Sequence, residues 1–155
     1  MAAAVKKDAS SINLTDTLTL IIGEIARHSP AFAHVDTSRL LVSTASNRNG
    51  RRSTIYGKLV PLRFRDGNRV FMHRGRCYAM PEIVHEGRPL LYIIYFYSPR
   101  FFDLPAREKL RVIFHELYHI SPEFNGDIRR MGEVKHSHGH SRTRFDSHFE
   151  GDLEK

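Results

Sequence analysis

The chain has 155 residues, of which 41% are hydrophobic and 26% charged, and its formal net charge is +7. This composition predicts one globular domain at residues 12–155, preceded by a flexible segment at residues 1–11. The only cysteine, Cys77, excludes an internal disulfide and a cysteine-rich zinc site, and it favours a reducing cytoplasm. The longest apolar run, at residues 90–97, is too short to span a bilayer, so no membrane partner is expected.

The hydrophobic pattern predicts an α+β fold. Apolar residues from Leu14 to Ile25 recur at helical spacing, and Thr15 or Asp16 is expected to cap this helix. A mostly antiparallel sheet of three to five strands should follow, with a hairpin turn at residues 66–68. Its predicted strands are residues 39–44, 55–65, 70–73, 77–80 and 90–97.

The sequence also indicates where two of these strands lie in the sheet. Residues 90–97 are apolar on both faces, which is typical of a central strand. Pro61 lacks an N–H group, so residues 55–65 are expected at an edge or a bulge. A second helix, at residues 105–120, should pack on the sheet. An irregular histidine-rich C-terminal segment follows, with a short helix at residues 143–153.

The second predicted helix contains His115-Glu116-Leu117-Tyr118-His119, an H-E-x-x-H sequence. Residues four apart lie on the same helical face, so both imidazoles can bind one Zn²⁺ while the carboxylate accepts a proton from water. Chance would produce this pattern in roughly 4 of 100 chains with this histidine and glutamate content. The helix should face the core with Leu110, Ile113, Phe114 and Leu117, and a cleft with Glu108, Val112 and the motif residues.

Catalytic zinc sites use three protein ligands, so a third residue is needed. Three alternate histidines lie in the C-terminal segment. His138 is the preferred candidate because Gly139 allows a sharp turn. His140 and His136 are alternatives, and Asp127 is a carboxylate alternative whose neighbours Asn125 and Gly126 indicate a turn instead.

The densest basic stretch lies between two predicted strands and contains Arg48, Arg51 and Arg52. Its Asn-Gly pair indicates an exposed loop, which can contact nucleic-acid phosphates without base specificity. The sequence does not predict an oligomeric state.

Residues 112–130, the histidine-rich segment and Phe145-Asp146 resemble the phage metallopeptidases, a zincin-like family similar in layout to the SprT-like (Spartan-type) proteases. The resemblance is strongest over residues 105–146. It implies a zincin-like fold and a peptidase activity, but it does not imply which protein or peptide is the substrate. The expected location is the cytoplasm of a phage or bacterial host cell. In SprT-like domains a His-Gly pair supplies the third ligand, and His138-Gly139 matches it, although the loop before this pair is longer here.

The expected function is hydrolysis of peptide bonds by zinc-activated water, with His115, His119 and one later histidine as ligands and Glu116 as general base. One alternative is a basic metal-dependent hydrolase of RNA, similar to YbeY-type ribonucleases, which lack this glutamate. The other is a catalytically silent binding protein stabilised by its metal.

Overall fold

A small mixed sheet and two α-helices form the body of the molecule, in a computed structural model that describes residues 12–47 and 54–130 and Gly151. The predicted flexible segment at residues 1–11 lies outside these residues, and so does the predicted short helix at residues 143–153 except for Gly151. In chain order the elements are α1 (Leu14–His28), β1 (Leu40–Ser46), β2 (Gly57–Pro61), β3 (Val70–His73), β4 (Arg76–Ala79), β5 (Val84–His85), β6 (Arg88–Pro89), β7 (Tyr92–Ser98) and α2 (Ala106–Tyr118).

Helix α1 confirms the predicted N-terminal helix but begins at a different capping residue. The side chain of Asn13 accepts hydrogen bonds from the backbone N–H groups of Thr15 (3.1 Å) and Asp16 (3.3 Å). The prediction that Thr15 or Asp16 is the cap was therefore wrong, because both lie inside the first turn. Leu18 and Ile22 lie on the side of α1 that packs against the core, and both are buried.

The main sheet has the order β1-β7-β2, so β7 is central and β2 lies at an edge, as predicted. Strand β7 is covered on both faces: Ile94 and Phe96 are completely buried in the main core, while Ile93 packs with Leu62 and Leu90 in a second cluster. The sheet is mixed rather than mostly antiparallel, because β7 runs parallel to β1 and antiparallel to β2.

The segment between β2 and β7 forms two separate hairpins, β3-β4 and β5-β6. The predicted hairpin turn at residues 66–68 was wrong, because the chain there forms a 3₁₀ turn (Arg65–Gly67) and β2 pairs with β7 instead of β3. The apolar side chains of β2 gain more burial against the central strand than the local turn could offer. The two hairpins turn at Arg74-Gly75 and Glu86-Gly87, where both residues of each pair have positive φ.

Helix α2 packs against the sheet, as predicted. Ile113, Phe114 and Leu117 are buried in the main core, but Leu110 remains 36% exposed. Val112 is also buried, so the core covers more of the helix than the predicted stripe, and Leu110 does not belong to it. No helix in the described part of the chain is long and apolar enough to cross a bilayer.

Candidate metal centre

The two motif histidines lie at the C-terminal end of α2, where their rings converge. His115 is in the last helical turn, and His119 follows the helix as its C-cap with helical backbone angles (φ −70°, ψ −16°). Their Nε2 atoms are 3.2 Å apart, and the rings are nearly perpendicular, at 79°. Both residues are more than 90% buried.

This geometry fits a shared metal ion. Two imidazole nitrogens that bind one tetrahedral zinc, each at about 2.0 to 2.1 Å, stand about 3.3 to 3.4 Å apart. The observed separation of 3.2 Å is close to that value, and neutral imidazole nitrogen is a preferred zinc donor. The same separation lets one ring donate a hydrogen bond to the other when no metal is bound. The separation of the two rings therefore fits two of the three protein ligands that a catalytic zinc needs.

The carboxylate of Glu116 is held beside the edge strand. Its Oε2 atom accepts a hydrogen bond of 2.9 Å from the backbone N–H of Leu59, and the residue is only 7% exposed. The strand can approach this closely because residue 57 is a glycine. A Cβ atom at Gly57 would lie 2.9 Å from Cγ and 3.1 Å from Oε1 of Glu116.

The hydrogen-bond pattern of β2 explains why Leu59 can reach this carboxylate. Tyr97 donates to the carbonyl of Tyr56, and Leu62 donates to the carbonyl of Leu91, which fixes the residues of β2 that bond to β7. In an antiparallel pair these residues alternate with others whose backbone N–H and C=O groups point away from the partner strand. In β2 the residues whose backbone groups point away from β7 are Gly57, Leu59 and Pro61. The missing N–H of Pro61 is thus on the outer side, where no ladder bond is lost.

A cleft of about 360 Å³ opens between β2 and α2, and His115 and Glu116 line it. The helix contributes Val112, His115 and Glu116, and the chain from Thr54 to Lys58 forms the opposite wall. Most of the lining is apolar, with the two motif side chains and Lys58 as the groups that can carry charge. An extended ligand in this cleft would therefore contact the edge of β2, His115 and Glu116.

Asp127, the carboxylate alternative for the third ligand, takes part in a turn. Its Oδ2 accepts from the backbone N–H of Asp66 (2.9 Å), its Oδ1 from that of Ile128 (2.8 Å), and both oxygens bond the guanidinium of Arg130. The side chain of Asn125 accepts from the Asp127 N–H, which is the turn role that its sequence predicted. Within residues 12–47 and 54–130, no three His, Cys, Asp or Glu side chains form a group that could hold a metal.

The remaining predicted site residues lie outside the described residues. They are the candidate ligands His136, His138 and His140 and the loop arginines Arg48, Arg51 and Arg52. The structure therefore brings together His115, Glu116 and His119, and it leaves the third ligand and the basic loop as predictions.

Sequence reasoning missed Gly57 and the backbone of Leu59. A glycine inside a predicted strand is a signal for close backbone approach, and Gly57 follows Tyr56 in such a stretch. The sequence alone gives no partner for that approach, because the contact with Glu116 joins elements far apart in the chain.

Comparison with known proteins adds one match. The sequence model of a family described as "Putative phage metallopeptidase" matches residues 13–148, which include both helices and the whole described sheet. No curated protein and no solved structure matches the chain significantly.

Proposed function

Because the chain belongs to the phage metallopeptidase family, we propose that it is a zinc-dependent hydrolase of peptide bonds with Glu116 as its general base. One observation carries this proposal: the Nε2 atoms of His115 and His119 converge to 3.2 Å, and His115 lines the same cleft as Glu116. The proposed setting is the cytoplasm of a bacterial host cell, consistent with the single cysteine.

His115 and His119 are the proposed metal ligands, joined by one histidine of the C-terminal segment. His138 remains the preferred third ligand, with His140 and His136 as alternatives. Zinc in such a site supplies a Lewis acid that activates water and polarises the scissile carbonyl. The protein contributes the imidazole rings of His115 and His119. Their positions are fixed because Ile113 and Leu117 hold α2 in the core.

Glu116 is proposed to take a proton from the attacking water and to deliver it to the leaving amine. The N–H of Leu59 fixes one oxygen of the Glu116 carboxylate. The Glu116 side chain is therefore already ordered before the reaction and loses no further conformational freedom during it. Gly57 leaves the space in which the carboxylate lies. Strand β2 therefore holds the proposed general base in position.

The proposed substrate is an extended segment of protein or peptide. The outer edge of β2 faces the same side as Glu116, and an added strand can pair with the backbone carbonyl groups of such an edge, since the N–H of Leu59 is bound to Glu116 and Pro61 has none. A chain bound this way would lie along the cleft between β2 and α2. Its side chains would meet a mostly apolar wall formed by Ile55, Tyr56 and Val112.

The first test replaces Glu116 with glutamine, which keeps the shape of the side chain but removes its basicity. We expect zinc content, measured by elemental analysis of protein without a histidine tag, to stay stoichiometric. Hydrolysis of quenched-fluorescent peptides and of a denatured protein should fall by about 10²- to 10⁴-fold, the usual effect of losing a positioned base. Glu108→Gln, in the first turn of the same helix, is the matched control and should retain activity.

The same preparations separate the alternatives. Wild-type turnover by Glu116→Gln would contradict the proposed base. Zinc-dependent cleavage of RNA without cleavage of peptides would favour the ribonuclease alternative. Stoichiometric zinc with no cleavage of either substrate would favour a silent, metal-stabilised protein.

A further inference from the structure

The β3-β4 hairpin stands apart from the rest of the fold. Its two strands pair only with each other among the described residues, and every residue of both strands is exposed. Several of these exposed side chains are large and apolar, namely Val70, Phe71, Met72 and Tyr78. A hairpin that buries so little of itself does not serve the core, so its side chains are available to a ligand.

The register divides these side chains between two chemically different faces. Phe71 lies opposite Tyr78 and His73 opposite Arg76, so these four residues share one face, which we call the ring face. Val70 and Met72, with Ala79 and Cys77 opposite them, form the other face, which is small and apolar. The two faces can therefore be altered independently.

The rings of the ring face form a row that continues onto the body of the protein. Phe71 lies 5.5 Å from Phe64 and 5.9 Å from His73, measured between ring centroids, and the planes of Phe71 and His73 are nearly parallel, at 16°. Phe71 and Tyr78 are 45% and 44% exposed. The row presents partly exposed aromatic surface rather than a closed cluster.

The charged side chains of the hairpin are all positive. Residues 69–80 contain three arginines and no acidic residue. Arg69 is paired with Glu82 at 2.8 Å, whereas Arg74 at the tip and Arg76 on the ring face are exposed. A second copy of this chain, also at +7, would bring like charges together here, which disfavours self-association through the hairpin.

We propose that the ring face of the β3-β4 hairpin binds single-stranded nucleic acid. Exposed rings next to arginines provide the two interactions that such a strand needs: stacking for unpaired bases, and positive charge for phosphates. A duplex keeps its base faces stacked inside, so it would gain only the charge interaction. None of its residues belongs to the predicted basic loop or lines the cleft beside Glu116.

The test measures binding of the full-length protein to a fluorescein-labelled oligothymidylate by fluorescence anisotropy at low ionic strength. We expect the single strand to bind more tightly than a duplex of the same length. Phe71→Leu with Tyr78→Leu keeps apolar bulk but removes two stacking surfaces. Loss of even one stacked base weakens affinity by about 5- to 150-fold, so the double variant should lose at least about 5-fold.

Matched variants assign the effect to one face. Val70→Thr with Met72→Gln alters the opposite face and should leave the dissociation constant unchanged. Arg74→Ala with Arg76→Ala should reduce the slope of log affinity against log salt by about 1.4, because each phosphate contact to a single strand contributes about 0.7. Tyr78→Leu alone leaves the contact between Phe64 and Phe71 intact, and it repeats the test without disturbing that packing.

The proposal is overturned if the wild type does not bind the oligothymidylate, or prefers the duplex. It is equally overturned if Phe71→Leu with Tyr78→Leu binds like wild type, or if the opposite-face variant loses as much affinity. None of these outcomes depends on Glu116, so they leave the proposed peptidase activity untouched.

Discussion

Gly57 has no side chain, and the carboxylate of Glu116 occupies the space where one would be. In Gly57→Ala the new Cβ would lie 2.9 Å from Cγ of Glu116, too close for either group to stay in place. We expect peptide hydrolysis to fall by about 10²-fold, the loss that a displacement of roughly 1 Å can cause, while zinc content stays unchanged.

A matched glycine is available as the control for this substitution. Gly23 lies in α1, and a Cβ there would meet nothing within 4 Å. Gly23→Ala should therefore retain activity and gain some stability, because alanine favours a helix over glycine. Full activity of Gly57→Ala would show that Glu116 does not need its observed position.

The third ligand can be identified residue by residue. His136, His138, His140 and Asp127 are each replaced with alanine, and the zinc dissociation constant is measured by competition with a chelating dye. We expect His138→Ala to lose more than the 10- to 100-fold that is typical of a residue that only supports a ligand. Asp127→Ala should affect stability rather than zinc affinity, because its carboxylate holds a turn. Wild-type affinity in His138→Ala would make His140 or His136 the ligand.

Strand β7 and the turn after α2 are joined by the phenol of Tyr92. Its hydroxyl donates to the carbonyl of Asp127 (2.8 Å) and accepts from the N–H of Gly126 (2.9 Å). Burial raises the pKa of Tyr92 to about 12, from a usual value of 10.0. The folded protein therefore keeps this proton at pH values at which the unfolded chain has lost it.

This difference predicts an alkaline loss of stability. The contribution of Tyr92 is fully present below pH 10 and is lost as the pH rises towards 12, amounting to about 3 kcal/mol for a shift of this size. Tyr92→Phe should be less stable at neutral pH, since two hydrogen bonds disappear, but its stability should fall less steeply between pH 10 and 12. Chemical denaturation across this range measures the effect, with exposed Tyr78→Phe as control. Parallel pH curves for wild type and Tyr92→Phe would contradict it.

At the scale of elements, the sequence predicts those that carry a strong local pattern. Helix α2 and central strand β7 were both expected near their observed bounds, because helical spacing and a run of apolar residues are local properties. The pairing of β2 was not predictable in this way. The turn signal at Asp66-Gly67 suggested a hairpin, but pairing with β7 depends on burial against residues far along the chain.

The candidate site, too, was predictable from local spacing but not from long-range packing. The spacing of His115 and His119 on one helix is enough to predict that they face each other, and the observed Nε2 separation agrees. The contacts of Glu116 with Leu59 and Gly57 come from the packing of a strand on a helix, which no spacing within the motif contains. Leu110 was misjudged for a related reason, since the packed sheet covers Val112 instead.

For the molecule as a whole, the position of the motif predicts how strongly zinc is coupled to folding. The main core contains residues from α1, the sheet and α2, including Ile22, Phe96 and Leu117, which are all completely buried. Burial of this extent does not require a metal, so the apo protein should still unfold cooperatively. This sets the proposed enzyme apart from a protein whose metal is needed for its fold.

Zinc should therefore stabilise a fold that already exists. At a free zinc concentration 100 times the dissociation constant, binding adds about 2.7 kcal/mol, which corresponds to a rise in Tm of about 5 to 10 °C for a domain of this size. His115→Ala should lose this shift, and His28→Ala, an exposed histidine on α1, should keep it. Differential scanning calorimetry of zinc-loaded and chelated protein measures both. If chelation abolishes the cooperative transition altogether, the metal is structural, and the silent binding protein becomes the better account of this chain.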